Sequence, residues 1–168
     1  SLEGTSDSFR MKLSFLPNGN CVILPNINGR GYGFFKITEG ESSGLWSVLR
    51  LSEDEVLKGS LLITLYENLR WKTISPQGFR DEMLAYLPNE SNSLLFSMAL
   101  SYLGDCQRIF PSDSRPLEEA LWRIVTTNPV SQHRLQAFRL YRSIADSEEA
   151  VQRLYTLWQE RKAPKDCA

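Results

Sequence analysis

Histidine is the scarcest chemically useful residue in this chain of 168, where His133 stands alone. A His-Glu-x-x-His zinc motif needs two imidazoles on one helix face, so it cannot form here, and no Cys-x-x-Cys pair offers thiolates in its place. Cysteine is nearly as sparse: Cys21, Cys106 and Cys167 are far apart, which is no disulfide framework. Neither sign of charge dominates, with 19 Lys and Arg against 20 Asp and Glu and a net charge of -1. Without a basic block the electrostatic footprint of nucleic-acid or anionic-membrane binding is missing. No apolar run approaches the about 20 residues that cross a bilayer. The opening Ser1-Leu2-Glu3-Gly4 lacks a basic-then-apolar signal pattern, and without an initiating methionine it reads as a processed end. The chain is expected to be soluble, with its compartment unassigned.

What is present is a hydrophobic fraction of 42%, enough for a real core. Residues 1–8 are small and polar, as in a disordered lead-in or tag remnant. From Phe9 to Phe15 apolar and polar residues alternate, Pro17-Asn-Gly-Asn20 carries turn chemistry, and Cys21 to Leu24 resumes a strand pattern. Asn28-Gly29 has the residues a type I′ hairpin turn demands, and Gly31 to Ile37 follows as a third strand. After Gly40-Glu-Ser-Ser-Gly44 the apolar period changes from 2 to 3.6. Leu45 to Leu51 forms a short helical turn. Ser52 and Glu55 have capping-box spacing, opening a helix to about Leu69 with Leu62, Leu65 and Leu69 on its stripe.

Ser75-Pro76 supplies a hydroxyl cap and a first-turn proline for a helix carrying Phe79, Met83, Tyr86 and Leu87. A longer stripe follows at Leu95, Met98, Ala99, Tyr102, Cys106, Ile109 and Phe110, closed by Pro111. Pro116 starts the next helix, with Leu117, Leu121 and Ile124 on one face. Ala137, Leu140, Tyr141 and Ile144 mark another after Ser131. Asp146-Ser-Glu-Glu149 repeats capping-box logic before Val151, Leu154, Tyr155 and Trp158. Helices joined by such short turns must pack as antiparallel neighbours. The expected fold is α+β and mostly α: a short N-terminal antiparallel β segment, then an irregular superhelix of antiparallel helical hairpins. Its divisions are the lead-in 1–8, a partial β-sandwich segment 9–40, a helical domain 41–163 and a frayed tail 164–168.

Few residues invite chemistry. Gly29-Arg30-Gly31-Tyr32-Gly33 is glycine-rich, but strand pattern rather than a helix follows it, so turn and bulge glycines explain it better than a phosphate cradle. Cys106 lies on an apolar stripe and reads as a small buried thiol. His133 sits in a polar first helical turn beside Ser131, Gln132 and Arg134, where a solvated or capping imidazole is expected. Arg134, Arg139 and Arg142 are placed on the polar side of that helix. They are either a salt-bridged solvent face or candidates to line a cavity and hold a peptide carboxylate bidentately. Trp122, Tyr141, Tyr155 and Trp158 fall on helical stripes and are expected in the core. No catalytic, cofactor-binding or metal-ligating set stands out.

The segment Pro25-Asn-Ile-Asn-Gly-Arg-Gly31-Tyr32, after the strand Cys21 to Leu24, resembles the part of aminopeptidase N-type zinc metallopeptidases where a β-sandwich ends and the C-terminal helical domain begins. Leu45-Trp46, Leu61-Leu62, Ile74-Ser75 and Ala145 to Ala150 followed by Leu154 to Trp158 extend the resemblance over nearly the whole chain. It implies a non-catalytic helical domain that closes over the active-site cleft of a parent hydrolase and limits peptide access. It also implies zinc in an upstream catalytic domain of the same chain, with peptide as the parent's substrate. No cofactor and no zinc ligand is implied for the residues in hand. A cut sandwich would also self-associate through residues 9–37. The alternative is a free-standing helical module that binds a protein or peptide.

Overall fold

A computed structural model describes the backbone of residues 13–15 and 21–23, together with residues 34–165 and 167. Strands β1 (Leu13–Phe15) and β2 (Cys21–Ile23) pair antiparallel, with Ser14 opposite Val22. The glycine-rich turn and the start of the expected third strand lie outside the described residues. Within them, Phe34 to Ile37 is extended but belongs to no sheet. Its backbone bonds to a side chain instead: the amide of Ile37 donates to Asn68 Oδ1 at 2.9 Å, and Asn68 Nδ2 donates to the carbonyl of Phe35 at 2.8 Å. Asn68 is fully buried and also bonds Thr64 O and Thr73 Oγ1, so both its oxygen and its amide nitrogen are satisfied. A side chain on a helix thus does for this segment what a neighbouring strand was expected to do.

Seven α-helices follow, and the described part of the protein is mostly helical. Helix α1 (Glu39–Leu51) takes in the Gly40–Gly44 stretch, which precedes the expected change to a helical period, because Thr38 and Glu41 close a full capping box around its first turn. Leu45, Trp46 and Leu49 face inward from α1, and Trp46 meets Phe79 edge-on at 5.6 Å between ring centroids. Helix α2 (Glu55–Arg70) begins two residues later than Ser52 and Glu55 imply. Asp54 is the cap, accepting from the amides of Val56 and Leu57, while Ser52 accepts from Asp54. Helix α3 (Pro76–Tyr86) starts as its sequence indicates, with Ser75 Oγ accepting from the Gly78 amide, and ends in a single 3₁₀ turn at Leu87–Asn89.

Helices α4 (Ser93–Ile109), α5 (Arg115–Thr127), α6 (Ser131–Ile144) and α7 (Glu148–Gln159) complete the order. Asn92 caps α4, accepting from Leu94 and Leu95. The cap of α7 is Ser147, bonded to the Ala150 amide, rather than a box between Asp146 and Glu149. Helices α1 and α2, α3 and α4, and α5 and α6 pack as neighbours in sequence, while α2, α4 and α6 touch in a row. One core joins them all. Gly104 lets α6 come close to α4, since a Cβ there would stand 2.8 Å from Leu140 Cδ1. Arg80 is buried in this core with Nη1 donating to the Phe110 carbonyl at 3.0 Å, which closes the end of α4. Cys167, placed by sequence in a frayed tail, has its side chain buried.

Candidate functional site

Buried polar groups concentrate where α4 begins. Glu90 is 4% exposed. Its Oε2 accepts from Lys58 Nζ on α2 at 2.8 Å and from the Tyr86 hydroxyl on α3, and its Oε1 accepts from the Asn92 amide at 2.7 Å. Burial pushes the Glu90 carboxyl up, but the bonds from Lys58, Tyr86 and Asn92 outweigh it and hold the group below the ordinary carboxylate range. Burial first, then the Glu90 carboxylate, raises the Tyr86 phenol. Three elements are tied together here by one charged residue.

His133 reaches the same end of α4 from α6. Contrary to the solvated imidazole expected from its polar neighbours, the ring has no exposed surface and stacks on Phe96 at 3.9 Å with an interplanar angle of 3°. The reason is rotational. His133 precedes Ala137 by one helical turn and Tyr141 by two, so it lies on the buried face of α6 although its sequence neighbours are polar. Nε2 lies 3.0 Å from Ser93 Oγ, while Nδ1 is buried with no hydrogen-bond partner. Burial lowers the pKa of this imidazole, and the Glu90 charge offsets part of that.

A serine within hydrogen-bond reach of an imidazole is the start of a nucleophilic site, but the chemistry needs a third group on the other ring nitrogen to orient the base. Nδ1 has none among the described residues, and both Glu90 oxygens are already engaged. The pair clasps α4 to α6. Cys106 is likewise buried, with Sγ 3.7 Å from the Pro76 carbonyl and 3.8 Å from Arg80 Nη1, and burial raises its thiol pKa despite the arginine. Such a thiol is poorly nucleophilic. Among the described residues no cluster of three or more His, Cys, Asp or Glu side chains could hold a metal ion.

The three arginines singled out on α6 separate. Arg134 is buried rather than on the polar face, and its Nη1 donates to the carbonyls of Asn128 and Pro129 at 2.6 and 3.1 Å. The carbonyls of Asn128, the C-cap of α5, and of Pro129 after it draw the guanidinium inward. Arg139 is exposed. Arg142 alone faces a cavity, with its guanidinium 5.9 Å from the centre of the Phe138 ring.

That cavity is an open groove of about 890 Å³ between α6, α7 and the residues after α7. Phe138, Leu154, Leu157 and Trp158 give it apolar walls, and Arg142, Arg161 and Lys162 line it with positive charge, while among the described residues no carboxylate does. Two of the aromatics expected in the core are exposed instead, Trp158 at this groove and Tyr155 outside it. Trp158 is 74% exposed and Tyr155 47%, because α7 is the last described helix and no described helix covers its outer side. Tyr141 is in the core as expected, with Trp122 packed partly buried beside it. No family model, no curated protein and no solved structure matches the chain. Its function rests on its own geometry.

Proposed function

We propose that this chain is a non-catalytic helical module that binds a peptide or protein segment, with the groove between α6 and α7 as the receiving surface. The observation that carries this reading is the composition of the groove: apolar walls that accept side chains, and Arg142, Arg161 and Lys162, the last shared with Glu160 at 3.4 Å, to accept a partner's negative groups. The polar residues that could do chemistry, Glu90, Ser93 and His133, are spent on holding helices together. The architecture suits the role: α1 and α2, α3 and α4, and α5 and α6 pack as sequence neighbours and α2, α4 and α6 touch in a row, which is the pattern expected of helical hairpins stacked in a short irregular superhelix. The test is to pan a displayed random-peptide library against the chain and map the binders by amide hydrogen exchange. Binders are expected to protect residues of α6 and α7 around the groove and to weaken about tenfold on Arg142→Glu. Protection confined to other helices, or no binders at all, overturns the reading.

A second reading keeps the same module and places it in a zinc aminopeptidase, closing over a cleft whose metal and catalytic residues belong to an upstream domain. Its support is the order of elements, a strand pair followed by consecutive helices, which is the order the sequence resemblance implies. Zinc and the peptide substrate are then properties of the parent. The reading frame upstream of Ser1 tests it: an in-frame His-Glu-x-x-His with a glutamate one helix further on supports the lid role, and a stop codon immediately upstream removes it.

A further inference from the structure

The outer side of α7 carries a stripe that no described element covers. Val151, Tyr155 and Trp158 stand at i, i+4 and i+7, and they are 51%, 47% and 74% exposed. The adjoining side of the helix, Ala150, Leu154 and Leu157, about 100° around the axis from the stripe, is what packs on the body of the protein. Glu118 anchors the start of α7 by accepting from the amides of Asp146 and Ser147, and Arg153 pairs with Glu119 at 2.7 Å, so the helix is held from α5 with its stripe turned outward. A row of three large apolar side chains on one helix face is an interaction surface.

The charges around the stripe identify what fits it. Glu148 and Glu149 are exposed at the N-terminal end of α7, and Arg161 and Lys162 are exposed just past its C-terminal end. Lys162 is shared with Glu160 at 3.4 Å, whereas Arg161 makes no ion pair among the described residues. The surface is therefore acidic at one end, apolar in the middle and basic at the other. An antiparallel helix with the same polarity complements it at both ends, and α7 itself has that polarity. Taking the centre between Leu154 and Tyr155, Val151 and Trp158 are equally far from it, as are Glu148 and Arg161. A second copy laid antiparallel sets Val151 against Trp158 twice and Glu148 against Arg161 twice.

We propose that a second copy of this chain docks here, α7 against α7, across a two-fold axis. Such an isologous contact is self-consistent, since each half supplies what the other needs. An anionic membrane fits less well because Glu148, Glu149 and Glu160 share the exposed helix and would face the lipid charge. The helix is 12 residues long, which is about 18 Å, so the interface belongs to the small class and its Kd is about 10 µM or weaker. This contact does not rest on the groove reading, although Trp158, Arg161 and Lys162 border both.

The experiment is sedimentation equilibrium on the chain and two charge-reversed forms, Glu148→Lys with Glu149→Lys and Arg161→Glu with Lys162→Glu, with circular dichroism confirming that each keeps its helices. The expected result is a concentration-dependent dimer for the parent chain, monomers for each reversed form alone, and a one-to-one heterodimer when the two are mixed. Trp158→Gln, which alters no charge at either end, is expected to be monomeric too. A parent chain monomeric at every concentration overturns the proposal, as do reversed forms that dimerise like the parent or a mixture that stays monomeric. Association that survives these changes but is lost when residues 1–37 are removed assigns the contact to the β segment instead. Binding of the monomeric chain to phosphatidylserine vesicles through Trp158 also overturns it.

Discussion

His133 shows how far environment outweighs residue type. Its ring lies against Phe96 with Nδ1 sealed from any partner, and burial favours the neutral form over the charged one. The folded pKa is thus below the unfolded value of about 6.5. Between the two values the unfolded chain binds a proton that the folded chain does not, so stability falls as pH is lowered through that window and levels off once both states are protonated. The carboxyls of Glu90 and Glu118 are lowered in the folded state, and their contribution is present above about pH 4.5 and lost below it. Because the chain has a single histidine, the upper window belongs to His133 alone. Thermal melts from pH 7 to 3 are expected to show a decline starting near pH 6.5 that disappears in His133→Gln, while the drop at lower pH persists. A slope at pH 5–7 that the substitution leaves unchanged contradicts the buried neutral imidazole.

At the scale of single elements, capping decides where helices begin, and it did so at residues that periodicity passes over. Thr38 and Glu41 start α1 ahead of its first apolar residue, and Asp54 rather than Ser52 starts α2. Within α2, Gly59 weakens the helix without an evident packing reason. A Cβ there would meet Leu95 Cδ2 at 3.7 Å and Met98 Cε at 4.0 Å, both ordinary van der Waals contacts. Gly59→Ala is accordingly expected to stabilise the protein by about 0.5–1 kcal/mol, through lower backbone entropy in the unfolded chain and better helix propensity. Urea denaturation measures it as a higher midpoint with unchanged slope. A lower midpoint means that α2 and α4 are packed more closely at this point than those distances allow.

Across the whole molecule, stability is graded from a tightly joined interior to a peripheral last helix. Helices α2, α4 and α6 share the core, whereas α7 buries little besides Ala150 and depends on Glu118 for its attachment. Glu118 is 1% exposed and its carboxylate receives two amides and the Ser147 hydroxyl. In Glu118→Ala those amides lose their acceptor, a cost of about 1–3 kcal/mol. Because α7 is the least embedded helix, the loss should appear as local opening. Amide exchange is expected to accelerate across α7 and the turn before it, with α2 and α4 unaffected. Uniform acceleration through all helices instead shows that α7 unfolds only with the core.

The helices, the prolines and caps that bound several of them, and most of the core were legible in the amino-acid order, because a 3.6 period and terminal signals such as Ser75-Pro76 are local properties of the chain. Leu62, Leu65, Leu69, Phe79 and Met83 are buried as their spacing indicates. The candidate site was not legible. His133 looks polar by its neighbours and is buried by its angle on α6, Arg134 turns inward to carbonyls six and five residues behind it, and Tyr155 and Trp158 continue a stripe whose outer half has nothing packed on it. Periodicity reports which residues share a face of a helix, but not whether another helix arrives to cover that face. That depends on how α4, α5, α6 and α7 pack across long sequence separations, and it is this packing alone that turned an apolar stripe into a groove and an exposed surface.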